Sequence, residues 1–128
     1  MDENINLTAA EWQVMECLWE KSPLTGQEAT RTLEEKMGWS RSTTLTLLRR
    51  MEAKGAVKSV SDSGKKTFLP ALHREDASAR EAESFLSRVY KGSLSLMVSS
   101  LTKKQSLPQE EIDELYALLR EMEEKKDD

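Results

Sequence analysis

The sequence has one cysteine and one histidine in 128 residues, Cys17 and His73. A lone thiol excludes an intrachain disulfide, and two such residues far apart in sequence form neither a thiolate metal cluster, a His-Glu metal signature, nor a nucleophile with its base. Glycine is also scarce, at five residues, and no glycine-rich phosphate loop occurs. No enzyme is expected from this inventory, and no cofactor. Long apolar runs are missing too. The longest mostly apolar stretch, Leu94 to Leu101, is interrupted by serines and falls well short of the roughly 20 residues that span a bilayer. The N-terminus is acidic and polar and lacks the apolar core of a signal peptide, so the expected compartment is the cytoplasm, with no membrane partner.

What is present suits a soluble, helix-rich chain of one domain or two small units, with 33% charged and 38% hydrophobic residues. The net charge is −4, but its distribution is uneven. From Arg41 to Lys66 there are seven basic residues against Glu52 and Asp62, a local excess of five positive charges. Phosphate attraction follows local potential, so the acidic total does not exclude DNA.

That basic stretch organises the chain. Ser40 is a candidate N-cap, Lys54 sits in a last turn and Gly55 takes the place of a left-handed terminal residue, which together predict a helix over 41–54. A hairpin over 56–70 is predicted to follow, with Val57 and Val60 in one strand, a polar turn at Ser61–Lys66, and Phe68 and Leu69 in the second strand before Pro70. Upstream, Thr8-Ala9-Ala10-Glu11 and Thr25-Gly26-Gln27-Glu28 are capping-box patterns. The first opens a helix that ends near Lys21, with Trp12, Met15, Leu18 and Trp19 on one face and residues 1–7 loose before it. The second opens a helix over 26–37 that buries Ala29, Leu33 and Met37, and Gly38-Trp39 turns into Ser40. Helices followed by a basic-tipped hairpin outline a winged helix-turn-helix.

On the 41–54 helix, Thr44, Leu47, Leu48 and Met51 are expected to face the core. The opposite side carries Ser42, Leu45, Thr46 and Arg49, with Thr43 and Arg50 at its border. Leu45 has no core role on this wheel, and a thymine methyl is one partner for it. The expected DNA contacts are Ser42, Thr43, Leu45 and Thr46 on bases, and Arg41, Arg49, Arg50, Lys65 and Lys66 on phosphates.

Residues 73–128 read as amphipathic helices. Phe85, Leu86, Val89 and Tyr90 form one stripe, Leu94, Met97 and Leu101 a second, and Ile112, Leu115, Leu118, Leu119 and Met122 a third. Helices this short cannot bury all three stripes among themselves, so these residues are expected to form a dimerisation region, which leaves 1–72 as the DNA-binding domain. The fold class expected is mainly α with a small β hairpin.

The chain resembles the penicillinase-repressor, BlaI/MecI-type winged-helix transcriptional repressors. The resemblance is carried by Leu7-Thr8-Ala9-Ala10-Glu11-Trp12-Gln13-Val14-Met15 with Leu18-Trp19, by Ser42 to Met51 with Lys54-Gly55, by Phe85-Leu86 with Tyr90-Lys91-Gly92-Ser93, and by Glu111 to Leu115. It implies a homodimer that represses transcription from palindromic operators, with Ser42, Thr43 and Leu45 facing bases and Arg50 near the backbone. Leu45 stands where many relatives have a polar or basic residue. Antibiotic-responsive relatives are cut at an Asn-Phe bond by a membrane sensor protease, whereas the matching segment here reads Val98-Ser99-Ser100-Leu101-Thr102. The resemblance therefore implies a sensor protease or another inducer without fixing which. Residues 123–128 lack the paired cysteines of copper-responsive relatives. The rival reading is a winged-helix module that docks a protein partner and binds no specific DNA.

Overall fold

Two capping boxes set the first two helices. In the computed structural model, which describes residues 5–126, Thr8 Oγ1 accepts from the Glu11 amide and Glu11 Oε1 accepts from the Thr8 amide, opening α1 (Ala9–Glu20). Thr25 and Glu28 repeat this reciprocal pair at the start of α2 (Gly26–Met37). Ser40 caps α3 (Arg41–Lys54), which Gly55 closes at φ 89°, a conformation that only glycine adopts without strain.

The wing consists of β2 (Val57–Asp62) and β3 (Lys65–Pro70), joined by Ser63 and Gly64, both at positive φ as the tight primed hairpin turns require. The sheet has a third strand that the sequence reading missed. Leu24–Thr25 forms β1, which pairs antiparallel with β3 (Leu24 opposite Phe68) and gives the order β1-β3-β2. Val57 is buried and Val60 is 49% exposed, because residues three apart in a strand point to opposite faces.

The core gathers Val14, Met15, Cys17, Leu18, Leu33, Leu48, Met51, Val57 and Phe68. Three expectations are corrected there. Val14 and Cys17 are buried, while Trp12 and Trp19 sit at the border, edge-to-face at 5.4 Å. Met37 is 42% exposed, one turn beyond the reach of the core. Of the segment expected to be loose, residues 1–4 lie outside the described residues, and Ile5 and Leu7 pack against the core.

Three further helices follow, α4 (Arg74–Tyr90), α5 (Leu94–Lys104) and α6 (Gln109–Lys126). Of these, α5 runs on through Lys104 before the chain turns to α6. The chain divides into two compact units between Ala79 and Arg80, inside α4. The first turns of α4 belong to the first unit because Arg74 pairs with Glu16 at 2.7 Å, its guanidinium lies 4.9 Å from the Trp19 ring centre, and Ala77 is buried. Trp19 Nε1 also donates to the Leu72 carbonyl at 2.9 Å.

Candidate nucleic-acid interface

Two faces of α3 have opposite characters. Thr44, Leu47, Leu48 and Met51 are buried as expected, and Arg41, Ser42, Thr43, Thr46, Arg49 and Arg50 are exposed. Lys36 pairs with Glu20, Lys54 with Glu11, Lys66 with Glu52 and Arg74 with Glu16, whereas Arg41, Arg49, Arg50 and Lys65 make no ion pair among the described residues. Three surface arginines without an ion-pair partner are suited to phosphate oxygens, while Lys65 lies near Glu28 without pairing with it.

The first turn of α3 strengthens that character. It carries no acidic residue, whereas α1, α2, α4 and α6 each have one or more there. The positive end of the helix dipole is therefore uncompensated by an acid and is joined by Arg41. Ser40 Oγ accepts from the Thr43 amide at 3.2 Å and lies 3.1 Å from Ser42 Oγ and 3.0 Å from Thr43 Oγ1. Three hydroxyls thus cluster at the exposed helix start, a composition suited to base edges and phosphates alike.

Leu45 does not point freely outward. It is half-buried, packs against the core edge and overhangs Gly26, where a Cβ would come within 3.3 Å of its Cδ2. The i+4 spacing from Arg41 to Leu45 to Arg49 runs along the boundary of the buried face rather than along the exposed centre. Leu45, Leu48, Arg49 and Glu52 line one side of a groove, and Gly26, Lys66 and Phe68 line the other. Leu45 therefore shares one cleft with two of the expected phosphate contacts.

Both wing lysines line a shallow depression with Thr25, Gln27, Glu28 and Arg31, and Lys66 in addition reaches α3, 3.5 Å from Glu52 and 5.3 Å from the Phe68 ring centre. Glu52 also accepts from Ser59 Oγ on β2, and this hydrogen bond, followed by the charge of Lys66, outweighs burial and keeps its carboxyl below the ordinary range. Arg31 and Glu52 were not singled out from sequence. Glu52 had a visible signal, as the only acid on the basic helix; Arg31 had none.

Behind α3, Lys54 Nζ donates to Glu11 Oε1 at 2.8 Å and to the Asn6 carbonyl at 2.9 Å. Burial pushes the Glu11 carboxyl up, but Lys54 and the Thr8 amide together outweigh it and leave the group below its usual value. Burial also raises the Cys17 thiol, which keeps it protonated and unreactive. Among the described residues, no group of three or more His, Cys, Asp or Glu is placed to hold a metal, and no helix is long and apolar enough to cross a membrane.

In the second unit, the residues expected at a dimer contact fall into two sets. Leu86, Tyr90, Met97, Ile112 and Leu115 are half-buried, with Tyr90 edge-to-face on Phe85 at 5.9 Å. Phe85, Val89, Leu94, Leu101, Leu118, Leu119 and Met122 are exposed. Leu118 and Met122, one turn apart on α6, are 57% and 58% exposed.

A basic helix seated on a three-helix core, followed by a basic hairpin wing, defines a winged helix-turn-helix DNA-binding protein. The chain belongs to the penicillinase repressor family, whose model matches residues 7–121. The penicillinase repressor of Bacillus licheniformis is 32% identical over 90% of both chains. The methicillin resistance regulatory protein MecI of Staphylococcus aureus strain N315 is 26% identical over 92% of this chain and 96% of its own. The solution structure of the DNA-binding domain of the repressor BlaI matches with a TM-score of 0.51 and 27% identity, over 56% of this chain and 87% of that one. The B. licheniformis BlaI monomer in complex with the blaP half-operator matches with a TM-score of 0.52 and 26% identity, over 56% and 88%.

Proposed function

We propose that the chain is a cytoplasmic transcriptional repressor that binds a palindromic operator as a homodimer. Each subunit sets α3 in a major groove, with Ser42, Thr43, Thr46 and the Leu45 methyls on base edges. Arg41, Arg49, Arg50, Lys65 and Lys66 take phosphates. The observation that carries this reading is the two-faced α3, with one side buried in the core and the other bearing arginines that have no carboxylate partner. An exposed basic face without internal counter-charges is costly by self-repulsion unless an external polyanion meets it.

The second unit supplies the dimer. Its exposed leucines, Phe85, Val89 and Met122 form more apolar surface than three short helices cover alone, and a two-fold partner covers it. Such a pair places two recognition helices about one DNA turn apart, roughly 34 Å. Release from the operator then requires an inducer, a sensor protease or another signal. Val98–Thr102 lies within α5 and contains no Asn-Phe bond, so a protease that cuts such a bond has no target there.

A gel-shift titration on the DNA upstream of the protein's own gene, with excess nonspecific competitor at two salt concentrations, tests the reading. The expected result is a competitor-resistant shift whose affinity falls with a log–log slope of about −0.9 per phosphate neutralised. A flat salt response would contradict the phosphate contacts. A folded dimer that shifts neither this DNA nor any sequence drawn from a random pool would favour a winged helix that serves a protein partner.

A further inference from the structure

We infer that Glu52 is an internal stand-in for a DNA phosphate: it holds Lys66 of the wing against α3 in the free protein and gives it up to the operator backbone on binding. The inference rests on the DNA-binding reading above. Lys66 differs from the other cations assigned to phosphate in having a carboxylate at 3.5 Å, from Glu52 on the helix that enters the groove. That carboxylate is itself fixed from the wing side by Ser59 Oγ, so α3, β2 and β3 meet at one acidic group. The site lies at the cleft that Arg49 also lines, with Lys66 exposed at 53% of its side chain and Glu52 half-buried at 35%. A phosphate oxygen can therefore reach Lys66 without unfolding anything.

Two consequences follow from the exchange. Before binding, the pair orients the wing and neutralises one positive charge, so a nonspecific duplex is attracted by one cation fewer. On binding, the carboxylate loses its partner and faces the phosphate track, which opposes every DNA alike. Glu52 thus acts as a positioning residue that holds the wing in place and lowers the affinity for DNA in general.

Glu52→Gln tests this, because glutamine keeps an oxygen for Ser59 and removes the charge. The variant is expected to bind a nonspecific duplex about two- to fivefold more tightly than the unaltered protein at low salt, the range set by exposed ion pairs. Its salt slope should steepen by up to about 0.9, because in the unaltered protein the carboxylate that Lys66 leaves behind offsets one of the charges brought to the phosphates. Loss of general repulsion between Glu52 and DNA would also tighten binding, so the deciding arm is the same substitution made in a Lys66→Met background. If Glu52 acts through Lys66, its effect shrinks there. An undiminished effect in that background, or unchanged affinity and slope for Glu52→Gln alone, overturns the inference. Failure of the unaltered protein to bind any DNA would instead overturn the DNA-binding reading, and the two failures are therefore distinct. Circular dichroism and urea titration of each variant establish that the comparison is between folded proteins.

Discussion

Lys54, the last residue of the recognition helix, reaches across the core to Glu11 in the first turn of α1, with Nζ 2.8 Å from Oε1. Glu11 is fully buried and its Oε1 also accepts from the Thr8 amide, so one carboxylate oxygen closes the cap of α1 and anchors the end of α3. The far end of the DNA-facing helix is thereby tied to the most buried part of the fold. The pairing is an orienting device as well as a stabilising one.

Lys54→Met leaves that carboxylate buried without its cation and should lower stability by about 2 kcal/mol at neutral pH, below the range for fully buried pairs because Lys54 is itself partly exposed. The pH dependence has a definite sign. Glu11 has a folded-state value below its ordinary one, so its contribution is present in full above the ordinary carboxylate range and is lost as pH falls through the folded value. Urea titrations of both proteins at pH 7 and pH 3 should show a gap that narrows in acid. A gap equal at both pH values would contradict the pairing.

Leu45→Arg should change which bases are preferred more than it changes folding. Leu45 is only half-buried over Gly26, so losing its packing is expected to cost about 1 kcal/mol, measured by urea titration. Binding-site selection with the variant should shift the consensus within the half-site. An unchanged consensus would remove Leu45 from the base-reading set.

Leu118→Glu combined with Met122→Glu places two charges on the exposed stripe of α6 and should convert the chain to a monomer in sedimentation equilibrium. Affinity for an isolated half-site should hold, while affinity for a full operator falls by about 10²-fold or more as the second half-site ceases to be a linked event. A dimer that survives both substitutions would place the interface elsewhere.

Much of the fold was legible in the chain because it is encoded locally. The boxes at Thr8–Glu11 and Thr25–Glu28, the cap at Ser40 and the glycine at Gly55 mark helix ends within a few residues of themselves, and α1, α2 and α3 lie where those marks set them. What was illegible depends on distant partners. Leu24–Thr25 becomes a strand only because Phe68 and Thr67 lie alongside, and two residues carry no period of their own. Glu11 looks like a surface cap residue until Lys54, 43 positions away, accounts for its burial. A helical wheel placed Leu45 outside because it ignores Gly26 on the neighbouring helix, and the same wheel gave no means of pairing Glu52 with Lys66 across the wing. The basic face of α3 was readable as charge. That its arginines lack carboxylate partners was not.

Selection of binding sites from a random duplex pool by the full chain, followed by sequencing, tests the central claim most directly, since it assumes no gene and no inducer. The account predicts enrichment of a two-fold symmetric consensus whose half-sites are centred about one helical turn, or a multiple of it, apart. No enrichment, or an asymmetric single half-site bound by a dimer, would contradict it.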